Sequence, residues 1–234
     1  MELFIIRHGQ SFNNALAEEH AGQRHRDPAL TETGERQAEC VAPFLAAGRH
    51  LAPGERAAGG PRFDELFCSP MIRALQTAEP IARELDMAPE VWVDIHEEGG
   101  IFLDHGPDGG VVGYPGQTRK EIEERFPGYV LPLEVGEQGW WNHGFEERQW
   151  CLGRAIGVAS ALLERASEDR RIGLVSHGGF IDALLKAFGR QLPGNGFHYH
   201  HHNTAITRLG FGAQGRIDIL YMNRVDHLPR ELLT

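Results

Sequence analysis

The stretch FIIRHGQS (residues 4–11) decides how the rest of the chain is read. An apolar run from Leu3 to Ile6 delivers Arg7 and His8 together, and Gly9 follows at once. Strand side chains alternate between faces, so Arg7 and His8 should point apart. The run is continuously apolar, as in parallel strands covered on both faces. IGLVSHGG (residues 172–179) repeats the plan: an apolar strand, then His-Gly, then a helical exit. In a doubly wound sheet the carboxyl ends of neighbouring strands converge on one crevice, where ligands bind. His8 and His177 are therefore expected to face each other there. The regular strand should end at Arg7 or earlier, with both residues past the last ladder pair and the alternation lapsing at Gly9.

Beyond these stretches, strand and helix patterns alternate. Residues 30–48 read as a helix, with Ala38, Val41, Ala42 and Leu45 on one face and Gly48 as its stop. Pro43 inside it predicts a kink or an earlier end. Residues 49–62, rich in Gly, Pro and Arg, read as a surface loop. FDELFCS (63–69) reads as a strand, followed by a helix with Pro70 at its start. EVWVDI (90–95) is a third strand, RIGLVS (171–176) a fourth, and residues 203–211 and 216–222 two more. Long helices are expected over 145–166 and 177–189. Residues 97–144 are rich in Gly, Pro and aromatics, with a short helix near Arg119 to Phe126, and read as an irregular, lid-like insertion. The expected fold is one α/β domain over 1–234, a three-layer α/β/α sandwich with a mostly parallel central sheet.

With 33 acidic against 23 basic residues, the net charge is −10. Such a surface repels nucleic acid and anionic lipid, so neither is expected as a partner. No apolar run approaches the roughly 20 residues that span a bilayer, and no signal-peptide pattern opens the chain. Cys40, Cys68 and Cys151 lie far apart without a CxxC, which points to reduced thiols and a cytoplasmic setting. Only two lysines, Lys120 and Lys186, are present, and neither lies in a P-loop.

A third strand end, CSPMIRALQTA (68–78), places Arg73 about one helical turn in, within reach of the same crevice. Arg7, Arg73, His8 and His177 then form a cationic cradle suited to a dianionic phosphate, whose oxygens match arginine's fork. With no metal-ligand spacing in reach, these side chains must meet the charge, and no cofactor is expected.

The chain resembles the histidine phosphatase superfamily, the phosphoglycerate mutase-like proteins. The resemblance spans nearly all of it and rests on six ordered motifs: RHGQSFNN (7–14), LTETGERQA (30–38), CSPMIRALQTA (68–78), IHE (95–97), SHGGFIDALL (176–185) and NTAITRL (203–209). The resemblance implies that His8 is a nucleophile that becomes phosphorylated. Arg7, Arg73, His177 and Asn14 would hold the phosphoryl oxygens, and Glu97 would act as general acid and then base. Ser11 and Gly178 are expected to join Asn14 in binding substrate, and Ser69 with Ser11 would support the residues that hold the phosphoryl group. Adjacent Glu98 is the alternative acid. Asn13 stands where the family often has Trp, which puts local packing in question rather than the chemistry.

The resemblance implies a phosphatase acting on a small phosphorylated metabolite, with a phosphoglycerate mutase as the alternative. The residues after Glu97 (EEGGIFLDHGPDGG) and GQRHRDPAL lack the mutase patterns, which favours hydrolysis. A scaffold that only binds phosphorylated ligands is a third reading, opposed by the retained site residues. Arg24 and Arg26 could select a second anionic group or be a solvated loop. HYHHHN (198–203) would put His198, His200 and His202 on one face of an extended segment, a metal-like spacing, but no carboxylate or thiolate lies nearby in sequence and surface or crevice-rim histidines are the favoured reading. GWWNHGF (139–145) could touch substrate but suits the small core of a long loop better. Oligomeric state is left open.

Overall fold

The computed structural model describes residues 1–59, 63–192 and 196–234. In chain order it contains β1 (Glu2–Arg7), a single helical turn α1 (Phe12–Ala15), α2 (Glu32–Ala46), α3 (Pro53–Gly59), β2 (Glu65–Cys68) and α4 (Ile72–Leu85). Then come β3 (Glu90–Val91), β4 (Phe102–Asp104), α5 (Gly106–Gly109), β5 (Val111–Gly113), α6 (Arg119–Arg125) and α7 (Arg148–Glu164). β6 (Arg171–Ser176), α8 (Gly178–Phe188), β7 (Ile206–Phe211) and β8 (Ile217–Arg224) complete the order.

Six strands form the central sheet in the order β3-β2-β6-β1-β7-β8. β1, β2, β3 and β6 pair in parallel, while β7 runs antiparallel to both β1 and β8. Phe4 and Ile6 of β1 pack with Val41, Leu45, Leu75 and Ile81 of α2 and α4. Leu3 and Ile5 pack on the other face with Ala155, Leu162, Phe180 and Leu184 of α7 and α8. The continuous apolar run is thus explained by burial on both faces, and the three-layer α/β/α architecture is present. Among the described residues, no helix is long and apolar enough to cross a membrane.

Several boundaries differ from the sequence reading. α2 runs through Pro43 to Ala46 without ending early. Pro43 and Glu39 both face solvent, so the Glu39 carbonyl left without an amide partner can be hydrated. Residues 53–59, expected as loop, form α3, whose first turn is capped by Glu55 accepting from Ala52 N at 2.7 Å; residues 60–62 lie outside the described ones. α4 begins at Ile72, so Pro70 precedes the N-cap residue Met71 instead of opening the helix. The third strand shrinks to Glu90–Val91 and is followed by a 3₁₀ turn over Val93–Ile95. The 97–144 segment is less irregular than expected, because β4 and β5 pair as an antiparallel hairpin. Trp140 and Trp141, both buried, join the core cluster on the α2/α4 side, the packing role favoured for them.

Candidate active site

β1 and β6 pair in register, with Arg7 opposite Ser176. The residue after each is a histidine, so parallel pairing sets His8 beside His177, with ring centroids 5.0 Å apart. β1 ends at Arg7, as expected, but the alternation does not lapse. Arg7 is still paired with Ser176, and only the ladder to β7 stops at Ile6. Arg7 continues the Leu3–Ile5 side and lies against the start of α8: a Cβ on Gly178 would stand 3.3 Å from its Nε. His8 continues the Phe4–Ile6 side, where Arg73 of α4 donates from Nε to His8 Nε2 at 3.2 Å. The two neighbours reach the site from opposite faces and meet over the strand end.

His8 is buried, and its Nδ1 lies 2.6 Å from the Gly9 carbonyl. A carbonyl only accepts, so Nδ1 carries the proton and Nε2 keeps a lone pair. Burial, then the charges of Arg73 and Arg7, hold the imidazole's pKa well below its usual value, so the ring is neutral. His177 is likewise held neutral by burial and Arg73. Its Nε2 is 2.7 Å from Ser69 Oγ, and its buried Nδ1 has no partner among the described residues. Arg7 donates from Nη1 to the His201 carbonyl at 2.5 Å, while its buried Nε has no partner among the described residues. Two buried polar atoms thus stand unsatisfied beside a neutral histidine, where a bound anion would satisfy them.

Glu97 closes the cluster. Its carboxylate accepts from Phe180 N (2.8 Å) and Gly179 N (3.2 Å) in the first turn of α8, and its charge is felt by Arg7 and Arg73. Glu98 instead pairs with Arg148 at 2.6 Å, which separates the two candidate acids. Ser11 and Asn14 bond each other, and Asn14 Oδ1 is 3.4 Å from Asn203 Nδ2. Arg24 is exposed, yet its charge reaches Arg73; Arg26 lies over the Tyr114 ring at 5.2 Å and joins no contact of the cluster. The Asn13 side chain donates to the His25 carbonyl at 2.8 Å and accepts from its N–H at 2.9 Å, tying the loop after α1 to the exit from β1.

His198 lies 3.5 Å from Asp182, His200 and His202 meet ring to ring at 5.1 Å, and His202 also meets the Thr234 carbonyl. Among the described residues, no group of three or more metal-ligating side chains is gathered.

Four residues escaped the sequence reading. Asp27 accepts from Ile72 N and lies 3.6 Å from Arg73 Nη1. Burial, opposed by Arg73, pushes its carboxyl up to about 6. Thr77 accepts from Gly9 N and donates to the Arg73 carbonyl, Asn203 donates to the His8 carbonyl, and Gln37 accepts from Gln10 N. Thr77 was traceable, since it follows Arg73 by one helical turn. Asp27, a lone carboxylate in a polar loop, carried no such signal.

A model of the histidine phosphatase superfamily (branch 1) matches residues 3–224. The chain belongs to the histidine phosphatase superfamily. This histidine phosphatase superfamily member is 25% identical to a broad-specificity phosphatase of Saccharomyces cerevisiae over 198 residues, 80% of this chain and 69% of that protein. It is 27% identical to a glucosyl-3-phosphoglycerate phosphatase of Mycolicibacterium vanbaalenii over 191 residues, 79% of this chain and 72% of the relative. A PE-PGRS family protein of Mycobacterium tuberculosis is 37% identical over 101 residues, and there the match spans 15% of the relative's length. Among solved structures, phosphoserine phosphatase from Entamoeba histolytica in complex with 3-phosphoglyceric acid superposes with a TM-score of 0.60. It is 24% identical and covers 97% of this chain and 99% of that one, a likeness of fold.

Proposed function

We propose that the protein is a phosphatase that hydrolyses a small phosphate monoester through a phosphohistidine on His8. The observation that carries this reading is the state of His8: neutral, Nδ1–H fixed on the Gly9 carbonyl, and Nε2 bearing its lone pair between two guanidinium-bearing elements. Nε2 attacks phosphorus, and the bond to the ester oxygen breaks. Arg73 turns its Nε–H from His8 to the phosphoryl oxygens, and the unpartnered Arg7 Nε–H joins it. With the Ser69 hydroxyl donating to His177 Nε2, the His177 proton sits on Nδ1 as a third donor. These fixed donors stabilise the charge on the transferring group, the protein's main contribution to phosphoryl transfer. Glu97 protonates the departing alkoxide, then takes a proton from the water that attacks phosphohistidine, releasing phosphate and regenerating His8.

Both arginines supply positive charge where a metal would otherwise serve, so activity is expected to survive EDTA. Three unbridged cysteines support a reducing, cytoplasmic setting.

A brief pulse of substrate followed by an alkaline quench should trap phosphate on His8, seen by mass spectrometry. His8→Ala should abolish both the label and turnover of p-nitrophenyl phosphate; wild-type turnover by His8→Ala would sink the mechanism. With 3-phosphoglycerate, free phosphate is the expected product, whereas conversion to the 2-isomer would make the protein a mutase.

A further inference from the structure

The segment carrying Glu97 lies outside regular secondary structure, between the 3₁₀ turn that ends at Ile95 and β4. Its main chain is held by residues from elsewhere. Arg154 of α7 donates from Nη1 to the carbonyls of Asp94 (2.7 Å) and His96 (2.9 Å). Its other face forms a bidentate pair with Glu146, Nε to Oε1 at 2.9 Å and Nη2 to Oε2 at 2.6 Å. Glu146 in turn donates its main-chain N–H to the Gly99 carbonyl at 3.0 Å. The two residues joined by this ion pair therefore hold the chain on both sides of Glu97, Arg154 through its side chain and Glu146 through its main-chain N–H. Their side chains are 10% and 6% exposed.

The same guanidinium lies 4.7 Å over the ring of Phe180, whose N–H holds the Glu97 carboxylate. Arg154 thus contacts both the main chain of the Glu97 segment and the ring of Phe180, the residue whose N–H holds the carboxylate. A buried ion pair is a poor stabiliser compared with packed apolar residues. Its planar fork, however, does what a point charge cannot: it addresses a carboxylate and two carbonyls in fixed directions.

We propose that Arg154, braced by Glu146, is a positioning residue for proton transfer by Glu97. It touches neither substrate nor His8, and it fixes where the Glu97 carboxyl stands relative to the departing oxygen. The proposal rests on Glu97 being the acid.

The test exploits leaving-group dependence. kcat/KM reports the steps through phosphorylation of His8. Within these, a poor leaving group needs a proton and a good one does not. Wild type, Arg154→Lys and Glu97→Gln are compared on phenyl phosphate and 2,4-dinitrophenyl phosphate. A misplaced acid can cost about 100-fold, so Arg154→Lys should lose about that factor on phenyl phosphate. On 2,4-dinitrophenyl phosphate the loss should stay within about threefold, because departure needs little general-acid help. Leu162→Ala, a buried change on the same helix, is the structural control and should affect both substrates alike. A second variant, Arg154→Met with Glu146→Leu, replaces the ion pair by apolar groups and should show the same selective loss.

Equal losses on both esters, matching Leu162→Ala, would overturn the proposal. So would failure of both Arg154 variants to fold while Glu97→Gln folds, which would make the pair purely structural. If Glu97→Gln is selective and Arg154→Lys is not, the positioning role alone falls. If Glu97→Gln shows no selectivity, the assignment of the acid falls and the positioning role with it.

Discussion

At His8 the tautomer is chosen by the main chain, through the Gly9 carbonyl, and the orientation of its partner Arg73 is chosen by Asp27. Asp27 has a second task, accepting from Ile72 N at the start of α4. Because burial lifts its carboxyl to about 6, Asp27 gains a proton below that pH and Arg73 loses its counter-charge. Above it, the ionised carboxylate is present to aim the guanidinium. Asp27→Asn keeps an acceptor for Ile72 but never carries the charge. The ratio of wild-type to Asp27→Asn kcat/KM should therefore rise between pH 5 and 7 by about tenfold, the factor by which the ionised fraction of a carboxyl near 6 grows over that range. Using the ratio cancels the substrate's own titration. A ratio flat across that range would remove Asp27 from the site's electrostatics.

Among the elements, the approach of α2 to the loop after β1 is the tightest. A Cβ on Gly34 would fall 2.1 Å from the Gln10 carbonyl oxygen, and one on Gly9 would fall 2.5 Å from the Gly34 oxygen. Those are main-chain atoms that cannot swing aside. Thr31 N and Gln37 Oε1 bond the same residue, Gln10, so the first turns of α2 clamp the exit from His8. Gly34→Ala should cost about 1–3 kcal/mol through overpacking, read as a fall in Tm, and should lower kcat/KM as His8 shifts. Gly153→Ala on α7, where a Cβ meets nothing within 4 Å, is the matched comparison. It should raise Tm slightly, since alanine favours a helix interior by about 0.8–1 kcal/mol over glycine.

Strands and long helices were legible because their apolar periods are strong. The β4–β5 hairpin was not, since three-residue strands with Val111 and Val112 exposed carry no period. α3 was missed for another reason. At seven residues it is too short to be stable alone, and the helix is tied to the sheet by Glu55 pairing with Arg208 on β7. Tertiary contact stabilises there what local sequence alone cannot.

Over the whole molecule, buried neutral histidines make stability depend on pH. His50 is fully buried between Phe4 and Phe63, both ring nitrogens lack partners among the described residues, and burial with nearby Arg208 lowers its pKa to about 3. His227 is lowered to about 4 by burial. The unfolded chain accepts these protons near pH 6.5 and the folded chain refuses them, so stability is lost as pH falls. Each such group removes about 1.4 kcal/mol per pH unit between its unfolded and folded pKa. His50→Leu should give a shallower fall of Tm between pH 6.5 and 4 than wild type. An unchanged slope would mean that His50 takes up its proton in the folded state.

By itself the sequence determined the layered α/β plan and the identities of His8, Arg7, Arg73, His177 and Glu97 as site candidates. These follow from apolar period, strand-end position and ordered motifs, all local along the chain. Only the tertiary structure decided how they meet. Arg7 and His8 obey the alternation to the end and converge from opposite faces because the sheet is covered by helices that supply Gly178 and Arg73. Only the fold separated Glu97 from Glu98, by giving one the amides of α8 and the other Arg148. Asp27 and Arg154 lie 46 and 57 residues from the side chains they serve, and contacts across such separations leave no periodic trace in sequence.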